Sequence, residues 1–217
     1  MKIIFIFLTF MLSAIAALSQ SDSACINFNY LDKDLSLISE LSDIQYIGIS
    51  CTDTNMHGKK FLLSFDEYLN GKKIMEDTSQ LICKVEKIPF IMGKDTVYEI
   101  FDLCSRMKFH NDDSIFKIRF AGRLLKDTFK LIMDYGGVKL YKLFTGDEKY
   151  SLRLISCATG NETKIKLNQL TPLLAYTPPF ETTGGAASYC ILGMEKIDDW
   201  FTKFKVKHYY VVNIKIE

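Results

Sequence analysis

Chemistry in this chain begins with its three histidines, His57, His110 and His208. His208 lies on the apolar face of the last predicted strand. There it serves as a core residue with one satisfied hydrogen bond or, if it borders a cavity, as the best acid–base candidate of the chain. His57 sits in Asp53-Thr54-Asn55-Met56-His57-Gly58, which imitates the start of a calcium loop. The imitation fails where an oxygen ligand is needed at His57 and a bidentate Glu is needed at Ser64, so a polar turn is expected. His110 and Cys104 stand six residues apart. On a strand that spacing is about 20 Å, too far for a nucleophile–base pair. Asp112-Asp113 and Asp198-Asp199 are adjacent pairs, and neighbours on a strand point to opposite faces. A turn explains the first pair and helix initiation the second. The nucleophile elbow, phosphate loop, dinucleotide loop and zinc-protease motifs are all missing from the sequence. No catalytic residue, metal site or cofactor is assigned.

Two features remain for binding. The first is the segment 171–188, with Pro172, Pro178, Pro179 and Gly184-Gly185. It has no clear periodicity, and long loops in compact domains are often functional. Tyr176 and Phe180 inside it, with Tyr189 just after it, are the expected ligand contacts. The plainer alternative is a surface loop pinned by its two aromatics. The second feature is Lys203, Lys205 and Lys207, which share a face by period 2. Such lysines form a small polyanion patch or simply keep a sheet soluble and discourage edge pairing. Asn161-Glu162-Thr163 is a glycosylation sequon at a predicted turn.

The elements that would position these groups are mostly strands. Leu31, Leu35, Ile38, Leu41 and Ile44 keep a helical period and predict a helix over 31–44. After it the period becomes 2. Phe61 to Leu69 runs into Asn70-Gly71, a strong hairpin signal because both residues tolerate positive φ. Strands follow over 79–86 and 97–109, separated by Pro89 and a Gly93-Lys94-Asp95 turn. Residues 114–121 and 124–134 are the next pair, and Gly136-Gly137 leads into Val138–Phe144. Tyr150, Leu152 and Leu154 share a face, and Ile165 and Leu167 alternate with Lys164 and Lys166. Turn signals every 10–14 residues suit antiparallel connections and are too tight for parallel crossovers. A short amphipathic helix is expected at about 195–203. The last strand places Phe204, Val206, His208, Tyr210, Val212, Ile214 and Ile216 on a buried face, and Lys205, Lys207, Tyr209, Val211, Asn213 and Lys215 on a largely wet one. This meander is similar in outline to lipocalin-like barrels. It lacks their Gly-x-Trp on the first strand, for the one tryptophan is Trp200.

Composition sets the outer limits. The chain has 217 residues, 48% hydrophobic and 24% charged, which excludes disordered and fibrous classes. A net charge of +1 gives no electrostatic case for nucleic acid. Residues 1–19 read as a secretory signal peptide, with Lys2, an apolar run and the small-residue exit Ala17-Leu18-Ser19. The expected location is therefore secreted or periplasmic, with a soluble chain after cleavage. Six cysteines, at 25, 51, 83, 104, 157 and 190, suggest disulfides without fixing partners. They contain no CxxC pair. The expected organisation is a signal peptide (1–19), an N-terminal segment bearing a helix (20–45) and an antiparallel β domain (46–217), barrel-like or a two-sheet sandwich. The expected role is non-catalytic binding of a small molecule, glycan or protein. Two alternatives stand beside it. One is a small envelope hydrolase using His208 with a loop carboxylate such as Glu181. The other is an inhibitor presenting the 171–188 loop to an enzyme.

Overall fold

A computed structural model describes residues 23–29, 33–51, 59–82, 85–102, 116–135, 138–155, 162–181, 187–188 and 196–217. The expected signal peptide, His57, Cys104, His110, Asp112-Asp113, Asn161 and Tyr189 lie outside the described residues.

Period-2 alternation does most of the building. In β8 (Thr128–Tyr135) every second side chain, from Phe129 to Tyr135, is buried and the others are half-buried. Six such strands form one sheet in the order β11 (Glu162–Lys166), β1 (Ser23–Asn29), β2 (Ile44–Cys51), β7 (Phe116–Leu125), β8, β9 (Val138–Thr145). Five form a second sheet in the order β10 (Ser151–Leu154), β12 (Thr171–Thr177), β15 (His208–Ile216), β3 (Lys60–Leu69), β4 (Lys72–Ile82). All pairings are antiparallel. The inner faces of both sheets share one core, including Ile26, Ile49, Phe65, Phe120, Phe129, Tyr176 and Ile214. The architecture is a two-sheet β-sandwich. Hairpins provide only part of the wiring. The chain crosses between the sheets after β2, β9, β10 and β11, and once more between β4 and β7 by way of residues 85–102, so a plain meander does not describe it.

Asn70 (φ 51°) and Gly71 (φ 77°) turn β3 into β4 with both residues in the left-handed region, as a type I′ hairpin demands. The first of the expected strands 114–121 and 124–134 runs on to Leu125, and the turn between them falls at Lys126-Asp127. Gly122 is interior to β7 because the Phe129 ring lies over it; an added Cβ would stand 2.1 Å from that ring. Pro89 falls within β5 (Val85–Met92), which among the described residues pairs with β6 (Asp95–Asp102) alone, in a separate two-stranded ribbon. A two-stranded ribbon consists of edges, where proline is tolerated. β1 pairs with both β2 and β11, so residues 23–29 of the N-terminal segment belong to the first sheet. Helix α1 (Lys33–Leu41) leaves Leu37, Ile38 and Leu41 exposed.

The last strand departs from expectation. Tyr209, Val211 and Asn213, expected on a wet face, are buried. A 3-10 turn (Ile197–Asp199) and helix α2 (Trp200–Phe204) cover that face, packing Trp200, Ile197 and Phe204 against Tyr209, Val211 and Phe180. The second sheet is thus covered on both sides along β15, its central strand. Phe204 belongs to α2, and the strand itself begins at His208.

Most of the expected 171–188 loop is also ordered structure. Thr171–Thr177 is an interior strand with a bulge between Pro172 and Leu174, and the extra residue, Leu173, is buried as Leu174 is. A bulge accommodates proline within a sheet and lets two successive leucines, Leu173 and Leu174, enter the same core between the sheets. Two-residue strands, β13 (Phe180–Glu181) and β14 (Ala187–Ser188), pair as a small hairpin. Cys51 is buried and Cys25 half-buried, and no disulfide occurs among the described residues. Among the same residues no helix is long and apolar enough to cross a membrane.

Candidate functional site

At the end of the sandwich where β15 begins, a cavity of about 600 Å³ lies between the Pro178–Phe180 segment, α2 and the residues leading into β15. Its position follows from local structure. Lys205 ends α2 in the left-handed conformation (φ 59°), its N–H bonded to Phe201 O, and so turns the chain toward β15. Pro178 and Pro179 carry the chain away from the end of β12, and the two departing segments leave the space between them.

The apolar part of its lining is Phe180, Phe204 and Val206. The rings of Phe180 and Phe204 pack 4.7 Å apart. The segment that carries Phe204 and Val206 adds Lys203, Lys205, Lys207 and His208 to the lining. Lys203 pairs with Asp199 at 3.8 Å, and Lys205 Nζ donates to the Thr202 carbonyl at 3.0 Å. No ion pair involves Lys207 among the described residues.

Behind His208 is a hydrogen-bonded group of four residues. Register puts Glu67 of β3 directly opposite Tyr210 of β15, one inward position from His208. A bulge at Glu67/Tyr68, with Ile74 as the extra residue of β4, lies at the same point. Glu67 Oε1 accepts from His208 Nε2 at 2.9 Å and from the Tyr210 hydroxyl at 3.1 Å. Tyr210 in turn accepts from the Thr145 N–H at 3.0 Å. The Tyr150 hydroxyl stands 3.3 Å from His208 Nδ1 and 3.2 Å from the His208 carbonyl. A neutral ring with its proton on Nε2 receives the Tyr150 proton at Nδ1. A cationic ring donates from Nδ1 while Tyr150 donates to the carbonyl. Both charge states are satisfied without moving a heavy atom. Burial, with Asp147 and Tyr210 adding to it, pushes the Tyr150 hydroxyl up to about 12, so it remains a neutral phenol. Tyr210 is raised too, mainly by burial.

Tyr150 also borders a second depression, of about 480 Å³, whose charged groups are Glu40, Asp43 and Glu148. The two spaces on either side of this tyrosine therefore have opposite charge.

Of the residues expected to contact a ligand, Phe180 is a wall of the cavity. Tyr176 lies between the sheets, stacked on Phe129 with ring centroids 4.0 Å apart. It is 1% exposed and does not line the cavity. Its hydroxyl has no hydrogen-bond partner among the described residues. His208 does border the cavity, and the acid beside it is Glu67. The backbone of Glu181 pairs with Ala187. Glu67 had a signal in the sequence: it continues the inward series Phe61, Leu63, Phe65 on β3, an acid on a core-facing position, as His208 is a base on one.

The site can hold a ligand by charge and apolar contact. As an acid–base device it is poorly arranged, because both nitrogens of His208 are already committed. No serine, threonine or cysteine side chain lines the cavity among the described residues. Nor do those residues contain a group of three His, Cys, Asp or Glu side chains able to hold a metal ion. No protein-family model, no curated protein and no solved structure matches this chain.

Proposed function

We propose that this chain is an exported, non-catalytic binding module of the cell envelope or extracellular space, taking a small ligand into the cavity beside Phe180. The observation that supports the reading most is the cavity itself. Its volume suits a small molecule, and its lining combines apolar side chains with a few polar and charged groups. Export rests on the apolar run after Lys2 and its small-residue exit. Native mass spectrometry of the chain produced with its first nineteen residues tests both parts. The expected spectrum has a mass beginning at Gln20 and a discrete added mass that is lost when Pro179→Trp fills the cavity. An unprocessed mass contradicts export. An adduct-free chain, or an adduct indifferent to Pro179→Trp, contradicts binding at this place.

One observation favours a second reading, a small hydrolase. His208 and a carboxylate stand 2.9 Å apart beside a cavity, which is the contact a general base and its orienting acid require. Hydrolysis of 4-nitrophenyl acetate that His208→Phe abolishes would support it. Turnover unchanged by that substitution is the expected result.

A further inference from the structure

We infer that the ligand of this cavity is a small organic anion, its acidic group held by Lys205 and Lys207 and its apolar body laid against Phe180, Phe204 and Val206. The inference rests on the binding reading above and specifies the ligand class. Three lysines line one space, against a chain of net charge +1. The carboxylate closest to the histidine, Glu67, is already engaged by His208 and Tyr210. Asp199 offsets Lys203 only. The remaining cations share the cavity lining with Phe180, Phe204 and Val206, and an ammonium–anion contact beside apolar groups is less screened than on open surface. A cationic ligand would be drawn instead to the depression beyond Tyr150, with its Glu40, Asp43 and Glu148. A neutral ligand would leave Lys207 without a counter-charge. A carboxylate and a phosphate monoester satisfy these cations equally, so the shared chemistry is an oxyanion on an apolar body.

Two fluorescent dyes of like apolar body separate the possibilities. 1-Anilinonaphthalene-8-sulfonate carries a sulfonate; N-phenyl-1-naphthylamine lacks it. The expected result is saturable one-to-one binding of the sulfonate, about tenfold tighter than the neutral dye. Lys205→Gln with Lys207→Gln, both at exposed positions, should bring the sulfonate down to the neutral dye's affinity and leave the neutral dye unchanged. Pro179→Trp should abolish both. Equal affinities that ignore the lysines yet vanish in Pro179→Trp would overturn the anion inference and leave the binding reading standing. Binding of both dyes that persists in Pro179→Trp, or no saturable binding at all, would overturn both. Butyrate and inorganic phosphate as competitors then show whether a carboxylate or a phosphate is preferred.

Discussion

Replacing Glu67 and His208 singly and together measures whether the inward-facing acid and base form a real unit. Glu67→Met keeps the volume of the acid but removes the acceptor shared by His208 Nε2 (2.9 Å) and the Tyr210 hydroxyl (3.1 Å). His208→Phe keeps the ring that packs edge-on against Tyr210, with centroids 4.9 Å apart. The two side chains are about one-fifth exposed, at 20% and 22%, so their interaction is only partly screened. A hydrogen bond to a charged group contributes roughly 1.5–3 kcal/mol net, and stranding a buried donor costs about 1–3 kcal/mol. Each single substitution should therefore cost about 2 kcal/mol. The double variant replaces both partners with apolar groups and should cost about 1.5 kcal/mol less than the sum of the singles. Urea denaturation is the assay. Its probe is the single tryptophan, Trp200, which is fully buried and sits 5.0 Å from the Tyr209 ring. Additivity within about 0.3 kcal/mol would refute the coupling, and with it the picture of Glu67 holding His208 against the cavity.

Two further outcomes follow from packing and burial. Gly122→Ala should destabilise by about 2 kcal/mol although it lowers the backbone entropy of the unfolded chain, since the Phe129 ring must leave both Gly122 and its stack on Tyr176; an unchanged urea midpoint contradicts that packing. Tyr68, Tyr135, Tyr150, Tyr176, Tyr209 and Tyr210 are all raised above 10.0, in each case chiefly by burial. A group raised on folding contributes stability that is complete below its unfolded value and is lost as pH climbs through the folded one. The urea midpoint should therefore be indifferent to these tyrosines up to pH 10 and fall between pH 10 and about 12, less steeply in Tyr150→Phe. A midpoint constant to pH 12 contradicts the burial.

The legible parts of the fold were those whose signal is local. Asn70-Gly71 specifies its own turn geometry, and a strand with one covered face, such as β8, writes its alternation directly into the sequence. Elements shaped by distant contacts were harder to read. Gly122 resembles a turn residue until the Phe129 ring is seen above it. Leu173-Leu174 breaks the period because a bulge sends both side chains into the same core. Tyr209 and Val211 alternate with their neighbours as a wet face would be expected to, and only the docking of α2 determines that they are buried. The site shows the same division. Phe180, His208 and the lysine triplet stood out by type and spacing. Glu67 and Tyr150 came from elements remote in sequence, and only the β3–β15 register and the approach of β10 bring them to the histidine. Tyr176 was conspicuous for its place beside prolines, but it faces inward on an interior strand.

The most direct test of the account is a nitrogen–proton correlation spectrum of the folded chain titrated with 1-anilinonaphthalene-8-sulfonate. Saturating shifts confined to Phe180 and to residues 203–208 are expected, with His208 among the largest. Shifts gathered instead on the exposed β5–β6 ribbon, where Ile91 is 83% exposed, or spread evenly over the sandwich, would contradict it.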